Sequence, residues 1–543
     1  MKKIFRQFAS LLLAGALLLP MGHSSASAAT AIPEVVRVGL AYGTGALPGA
    51  NLLNSTGSGY RLGYFDDSLN FIQLGYTYET AISVVKTRNV YYDGKNYVDS
   101  ATGAAVGCYH LQLPTVYASF DEALAAAKQA GGFPAWIGGA YYARVGAYLT
   151  VEGANTALAA SGLNGATVVG TSSGGISVVK TGSSTILFQY DTGANTGMLG
   201  VKPGLDDSVK TATWFAGYKY YGGFRYQRIS GGDLTVVNIL DREDYINCVI
   251  SQEMSDSWPL EALKAQAVIA RSYAAVCSTR HQSQGFDLCA TTHCQAYPGM
   301  NRIGANTTRA AAETAGQYVW YGGEIAETYY FSSDGGATED AKNVWTQDIP
   351  YLKGVVDPWE AGVAGSISNY NWSVTYTKSE LEQKLRAGGR NIGDLATVVV
   401  NPTAMGNAKS ITFTDTLGKS WTIAGDSARV FLGARSVRLR LESGGGGGYY
   451  VNGSGTLSSV SDAYAIGGSG NVSQVGDGAY VITGSGTEQV QAPAGASGDS
   501  YTFVGSGWGH NVGMSQWGAN AMAKAGKTYR EILTFYYTGV EVK

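Results

Sequence analysis

Apolar and polar positions change period several times along the chain. Val35-Val-Arg-Val-Gly-Leu40 and the segments out to about residue 106 read as short strands separated by turns. Tyr109-His-Leu-Gln-Leu113 alternates like a half-buried strand, and Ser119-Phe-Asp-Glu122 is a capping-box pattern opening an Ala-rich helix that Gly131-Gly132 stops. Phe133–Ile137 is a further strand, and Tyr142–Tyr148 starts a second such unit, so the pattern predicts βαβ-βαβ over residues 107–170. Strand signals resume near Gly174 and end in the β-branched run Leu234–Leu240, predicted as a buried strand feeding two helices. Asp241 is the expected N-cap, with Asp244 at the third helical position; Ser255-Asp-Ser-Trp-Pro259 breaks the helix and an Ala/Leu-rich stretch restarts it. Tyr245, Val249, Leu260, Leu263 and Ala267 form the apolar faces, which leaves Glu253 beside the break. An acid there either projects into a cleft or is a solvated terminal carboxylate.

Further on, Thr377-Lys-Ser-Glu380 caps a helix carrying Leu381 and Leu385, and Val398–Val400, Ile411–Phe413 and Val430–Leu432 read as strands. Residues 444–499 open with five glycines and repeat Gly-Ser-Gly turns between short strands such as Tyr449–Val451 and Ala479–Ile482; they form an exposed β-hairpin insertion or a flexible linker. A helix starting at or near Ser515 ends by Gly526, and Thr528-Tyr-Arg-Glu531 caps a last helix whose core face is Ile532, Phe535 and Tyr536. At the other end, Lys2, Lys3 and Arg6 precede the apolar run Phe8–Leu19, Pro20 and the small-residue pattern Ala26-Ser-Ala28. This predicts a cleavable signal peptide over residues 1–28 and a secreted, extracytoplasmic chain. The apolar run falls short of the ~20 residues of a bilayer span, and no later run is long enough for lasting membrane insertion.

Composition sharpens the class. With 75 glycines, 36 tyrosines and 15% charged residues in 543, the chain is expected to be α+β, mainly β, with two or three domains of ordinary size. A net charge of -3 does not suggest a polyanion-binding surface, and no nucleic acid partner is expected. Two histidines and two cysteines, His281, Cys289, His293 and Cys294, fall within fourteen positions. Thiolates and neutral imidazoles are the donors of a tetrahedral zinc site, here structural because four protein ligands leave no position for water. The rival reading is a disulfide, although Cys108, Cys248, Cys277, Cys289 and Cys294 leave one thiol over in any full pairing. A glycine-rich stretch, Gly505–Gly518, surrounds Trp508 and His510, where backbone can approach a ligand closely; a lone histidine is as often simply packed.

Taken in order, the helix pair with Glu253-Met254 and Ala270-Arg271-Ser-Tyr273, Asp287–Tyr297, Thr328–Glu339, Tyr351–Val355 and Gly507–Gln516 resemble the SpoIID/LytB (stage II sporulation protein D) family. Its members cleave or help remodel peptidoglycan glycan strands. The resemblance implies a multi-part catalytic domain over residues 33–106, 171–443 and 500–543. The unit at 107–170 resembles a glycan-binding SPOR domain, with a generic α+β insertion as the alternative. It also implies Glu253 as catalytic acid and Arg271 as its helper, unless Arg271 is an ordinary surface cation. Substrate contacts would come from Gln295, Tyr297, Ser332, Ser333, Lys353, Trp508, His510 and Gln516. Some relatives bind zinc at the Cys/His group and others lack the cysteines. Asn511 stands where the family usually has glycine; asparagine tolerates left-handed backbone angles. The implied activity is lytic transglycosylation, which manages with one carboxylate, whereas ordinary glycoside hydrolysis needs a second, for which Glu243, Asp334 and Glu339 are candidates. The alternative is a non-catalytic wall-binding protein that enhances an amidase.

Overall fold

A computed structural model describes residues 32–193, 197–442 and 500–543, with six short strands between Tyr449 and Gln489. The expected signal peptide lies outside these residues. The six strands pair as three antiparallel hairpins, Tyr449–Val451 with Gly455–Leu457, Tyr464–Ile466 with Val472–Gln474, and Tyr480–Thr483 with Gly486–Gln489. The fold is mixed α and β, mostly strands. Among the described residues no helix is long and apolar enough to cross a membrane.

A seven-stranded sheet carries the helix pair. Its strand Leu234–Asp241 is flanked on one side by Gly223–Arg228 and on the other by the opening strand Val35–Ala41. The opening strand runs antiparallel to Leu234–Asp241, with Val38 opposite Asn238, and parallel to Leu288–Cys289, with Gly39 opposite Cys289. Gly39 has to be glycine: a Cβ there would sit 2.5 Å from the Phe286 ring. Leu234–Leu240 is buried throughout, as its β-branched run predicts, because helix Arg242–Glu253 folds back against the sheet and helix Leu260–Val276 packs on that helix. Asp241 accepts hydrogen bonds from the Glu243 and Asp244 amides, the cap read from sequence.

A second sheet of ten strands contains the βαβ-βαβ unit. Strands Tyr109–Gln112, Phe133–Ile137, Ala140–Tyr148 and Thr167–Val169 and helices Phe120–Ala130 and Val151–Ser161 follow the predicted order. These strands do not close into a sheet of their own. Phe133–Ile137 pairs parallel with Ile186–Asp191, and the Trp136 and Tyr190 rings stack at 5.3 Å, so the sheet runs past residue 170 without a break. A separate core lies under Asn371–Thr377, helix Lys378–Ala387, three strands from Leu395 to Ala424, Leu439–Glu442 and Ser500–Ser506. Val430–Leu432 is not a strand. It is the last turn of helix Gly425–Leu432, closed by Gly433 at φ 62° with the amides of Gly433 and Ala434 returning to carbonyls of that turn. The apolar run fits a helix as well as a strand, and the left-handed glycine decides.

Arg271 is neither a surface cation nor a partner of Glu253. Its side chain is fully buried and forks onto Glu243, at 2.8 and 2.6 Å, while also donating to the carbonyls of Gln317 and Ala311. Glu243 is in the first turn of helix Arg242–Glu253, so the pair lies about 15 Å of helix rise away from Glu253. The guanidinium therefore fastens the two helices together at the end remote from that acid. Arg271→Met is expected to remove about 2–3 kcal/mol of unfolding free energy, since it strands two carbonyls and a half-buried carboxylate. Urea denaturation reads this as a lower midpoint; an unchanged midpoint would show that Glu243 and the carbonyls find water at no cost.

Candidate functional site

Glu253 is the last residue of its helix. Met254 turns extended, at φ -129°, and the chain crosses Ser255–Trp258 before Pro259 starts the next helix. The Glu253 carboxylate accepts a hydrogen bond from Gln516 Nε2 at 3.0 Å. Gln516 opens the helix Gln516–Lys524, which Ser515 caps through the Gly518 amide at 3.1 Å, and it also donates to Gln266 Oε1 at 3.5 Å. The half-buried Tyr330 phenol lies close enough to Glu253 to help stabilise its carboxylate. Tyr330 Oη accepts from Gln295 Nε2 at 3.2 Å, and Gln295 Oε1 accepts from Tyr245 Oη at 3.1 Å. Burial pushes the Glu253 pKa up; the Gln516 and Tyr330 hydrogen bonds pull it partly back, and the net shift is upward. At the helix break Trp258 packs against Trp517, the neighbour of Gln516, with ring centroids 4.8 Å apart. The result is a carboxyl group that favours its proton beside an aromatic wall.

The frame behind it is a buried carboxylate. Glu360 accepts four hydrogen bonds, from Ser333 Oγ (2.6 Å), the Asp334 and Gly335 amides (3.0 and 2.9 Å) and Ser515 Oγ (2.6 Å). This joins the loop after strand Tyr330–Phe331 to the cap of the Gln516 helix, and the strand itself runs parallel to Met514–Ser515. The Trp517 amide completes the joint by donating to the Ser332 carbonyl at 3.0 Å. Asn511 sits at φ 60° and is fully buried, with Nδ2 donating to the Asp334 and Ala337 carbonyls at 2.7 and 3.1 Å, so the left-handed backbone expected of it is present.

The residues expected to touch substrate divide into three groups. Gln516 meets Glu253 directly. Ser332, Trp508 and His510 are partly exposed near the joint: Trp508 is 50% exposed under the Arg435 guanidinium, and His510 packs on Trp345 and Phe331 while accepting from the Val512 amide. Desolvation lowers the His510 pKa to about 4, so the ring is neutral. The others are held by protein groups. Tyr297 is 1% exposed and donates to Asn238 Oδ1 at 2.7 Å, Gln295 is the buried support of Tyr330, and Ser333 is spent on Glu360. Lys353 pairs with Asp348 and, at 3.8 Å, with Asp340. Tyr297, Gln295 and Ser333 therefore support the site from behind and offer nothing to a ligand, because their polar atoms already have buried partners.

The three acids considered as a second carboxylate are also committed. Glu243 holds Arg271; Glu339 accepts from Asn343, Thr403 and Asn407 at 2.6–2.9 Å; Asp334 lies with Asp357 behind Glu360. Tyr330, Glu360 and the Trp258–Trp517 pair were not anticipated. Tyr330 stands in the motif Thr328–Glu339, while Glu360 follows Asp-Pro-Trp, which reads as an ordinary surface turn.

His281, Cys289, His293 and Cys294 converge: Cys294 Sγ lies 3.4 Å from His281 Nε2 and 3.6 Å from His293 Nδ1, and Cys289 Sγ lies 3.7 Å from His293 Nδ1. The N···S edge of a tetrahedron around zinc, with the usual bond lengths, is about 3.6 Å. His281 Nδ1 is bound to Gln284 Oε1 at 2.7 Å, which turns Nε2 into the cluster. Both thiols are free, and their proximity holds the Cys289 pKa down while raising that of Cys294. The donor set and spacing thus suit a closed zinc site.

Comparison with known proteins places this geometry in context. The Stage II sporulation protein (SpoIID) family profile matches residues 230–321, which hold Glu253 and all four Cys/His residues. The chain is 31% identical over 340 residues to an uncharacterized protein of Brachyspira hyodysenteriae, covering 60% of this chain and 73% of that one. It is 31% identical over 306 residues to the amidase enhancer of Bacillus subtilis, covering 54% of this chain but only 39% of the relative. To the Stage II sporulation protein D of Bacillus subtilis it is 27% identical over 327 residues, 55% of this chain and 74% of the relative. The chain belongs to the SpoIID/LytB family.

Proposed function

We propose that the protein is a secreted lytic transglycosylase that cuts peptidoglycan between N-acetylmuramic acid and N-acetylglucosamine. The observation that carries this reading is Glu253, a half-buried carboxyl with a raised pKa, held by Gln516, while the three acids considered as its second carboxylate, Glu243, Asp334 and Glu339, are committed elsewhere. Protonated Glu253 gives its proton to the glycosidic oxygen as the bond to the muramic acid breaks. The resulting carboxylate then takes the proton of the muramic acid 6-hydroxyl, whose oxygen closes on the anomeric carbon to form a 1,6-anhydro ring. An intramolecular nucleophile needs no activated water, which fits a site with one acid. Gln516 holds one carboxylate oxygen during both transfers, with Tyr330 beside it.

A second reading follows from the amidase enhancer of Bacillus subtilis, whose likeness over 306 residues favours a wall-binding protein that raises the output of an amidase. The two readings differ at Glu253. Glu253→Gln is expected to lower strand cleavage by at least about 100-fold with the fold intact, because the amide keeps the shape and loses the proton. Mass spectrometry should find 1,6-anhydro ends. Reducing ends would mean hydrolysis, and a wild-type protein that binds strands, stimulates an amidase and never cleaves would establish the enhancer.

The pH profile follows from the upward shift of Glu253. The acid works protonated, so single-turnover cleavage should persist above the ordinary carboxylate range and fall as pH rises through the shifted pKa. Gln516→Leu leaves the Glu253 carboxylate less stabilised, so this alkaline limb should move to higher pH. A limb that stays in place would remove Gln516 from the site.

We also propose that His281, Cys289, His293 and Cys294 bind one structural zinc ion. When bound, the ion crosslinks the Leu288–Cys289 strand to the loop ending at Gln295, the residue that supports Tyr330. Elemental analysis should find about one zinc per chain, and Cys294→Ser should lower thermal stability more than the rate at the temperature where the variant is folded. A Cys289–Cys294 disulfide in peptide mapping, with no metal, would overturn this.

A further inference from the structure

The Gly505–Trp508 segment borders a second, open cleft of about 630 Å³, lined by Trp372, Arg438, Arg440, Glu442, Gly406 and Ser506 among others. Its floor is the sheet of Asn371–Thr377, Ser500–Ser506 and Leu439–Glu442. Along the last of these strands Leu439 and Leu441 turn into the second core, so Arg438, Arg440 and Glu442 fall on the opposite face. Two cations against one anion give this cleft a positive balance on a protein whose net charge is -3.

Arg438 is half-buried and fixed by one edge. Its Nη1 donates to the Met405 carbonyl at 2.8 Å and meets Asn407 Oδ1 at 3.5 Å, while Nε and Nη2 have no partner among the described residues. The guanidinium lies between Gly336 at φ 123° and Gly406 at φ 78°; a Cβ on either would begin 3.5–3.6 Å from it and a longer side chain would grow across it. Among the described residues the open edge of the fork is therefore pre-oriented and uncovered. Arg440 is exposed with no ion pair among the described residues. Both guanidinium groups line one concavity, and a planar fork whose Nε–Nη2 edge has no partner among the described residues matches a carboxylate in bidentate fashion.

We infer that this cleft binds a free carboxylate carried on the glycan strand, with Arg438 receiving it and Arg440 as the second cation. The inference rests on the glycan reading above and deepens it. The cleft and the Glu253 site share one loop: Gly336 lies against Arg438, while Ser332 in the same loop holds Trp517, and Ser506 Oγ donates to the Gly335 carbonyl at 3.1 Å. A strand lying along Trp508 thus presents a carboxylate to Arg438 while another of its units meets Glu253. Two sources carry such a group. The lactyl carboxylate of muramic acid is free where no stem peptide is attached, and the stem peptide ends in carboxylates of its own.

The test is calorimetric binding to the full chain carrying Glu253→Gln, which prevents turnover. Three probes are compared: strands without stem peptides, the same strands with carboxylates reduced to alcohols, and strands bearing peptides. Adding Arg438→Gln should weaken binding of at least one carboxylate-bearing probe tenfold or more, and Arg440→Ala several-fold, with the reduced strand unaffected. Loss confined to peptide-free strands assigns the lactyl carboxylate; loss confined to peptide-bearing strands assigns the peptide. Unchanged affinity for both carboxylate-bearing probes in Arg438→Gln, at an unchanged melting temperature, overturns the carboxylate site while the glycan reading stands. If Arg438→Gln fails to fold, Arg440→Ala alone decides by the same comparison. A parent chain that binds none of the three probes overturns the glycan reading, and the cleft assignment falls with it.

Discussion

The site depends on how the Glu360 carboxylate is kept inside the protein. A buried carboxylate costs several kcal/mol unless donors replace its hydration, and Glu360 is fully buried with four donors within 3.0 Å. Two of these donors are side-chain hydroxyls from segments far apart in sequence, Ser333 and Ser515. Neither segment can drift without stranding the charge. Because Ser515 caps the helix that Gln516 opens, the place of the Glu253 partner is set by a residue that touches neither. Asp334 and Asp357 crowd the same pocket. Burial and the neighbouring carboxylates push the Asp334 pKa well above the usual range, and its Oδ1 accepts from the Gly336 amide at 2.6 Å. Asp357 in turn accepts from Tyr536 Oη at 2.5 Å, which ties the last helix to the same group.

What the sequence made legible was local. The Asp241, Thr377 and Thr528 caps act within one turn of the residue that makes them, so their patterns carry over directly into helix starts. The Cys/His cluster was legible because three of its four residues lie within six positions of one another. Glu253 at a helix break was legible in position, and the family resemblance supplied its role.

What was not legible was who satisfies whom across the fold. Arg271 looks the same in sequence whether it serves Glu253 or Glu243; the choice depends on which end of one helix meets the other. Tyr297 and Gln295 lie in a motif, yet their hydroxyl and amide are used up inside by Asn238, Tyr245 and Tyr330. The sheet running past residue 170 has a similar cause. Helix and strand periods define the 107–170 unit well, but nothing in them says that Phe133–Ile137 has an edge left for Ile186–Asp191.

Gln516 follows Glu253 by 263 residues, and the opening strand takes a partner, Asp287, that follows Arg37 by 250. Contacts this distant in sequence close late, because chain entropy must be lost before they form. During synthesis the acid is made long before its partners Tyr330 and Gln516 exist. Until the last segment docks, Glu253 ends its helix without the Gln516 hydrogen bond that holds it in the finished fold. The chain's own topology therefore acts as a timer: a molecule whose Gln516 helix has not yet docked carries Glu253 without its partner, and the setting of that acid is completed last.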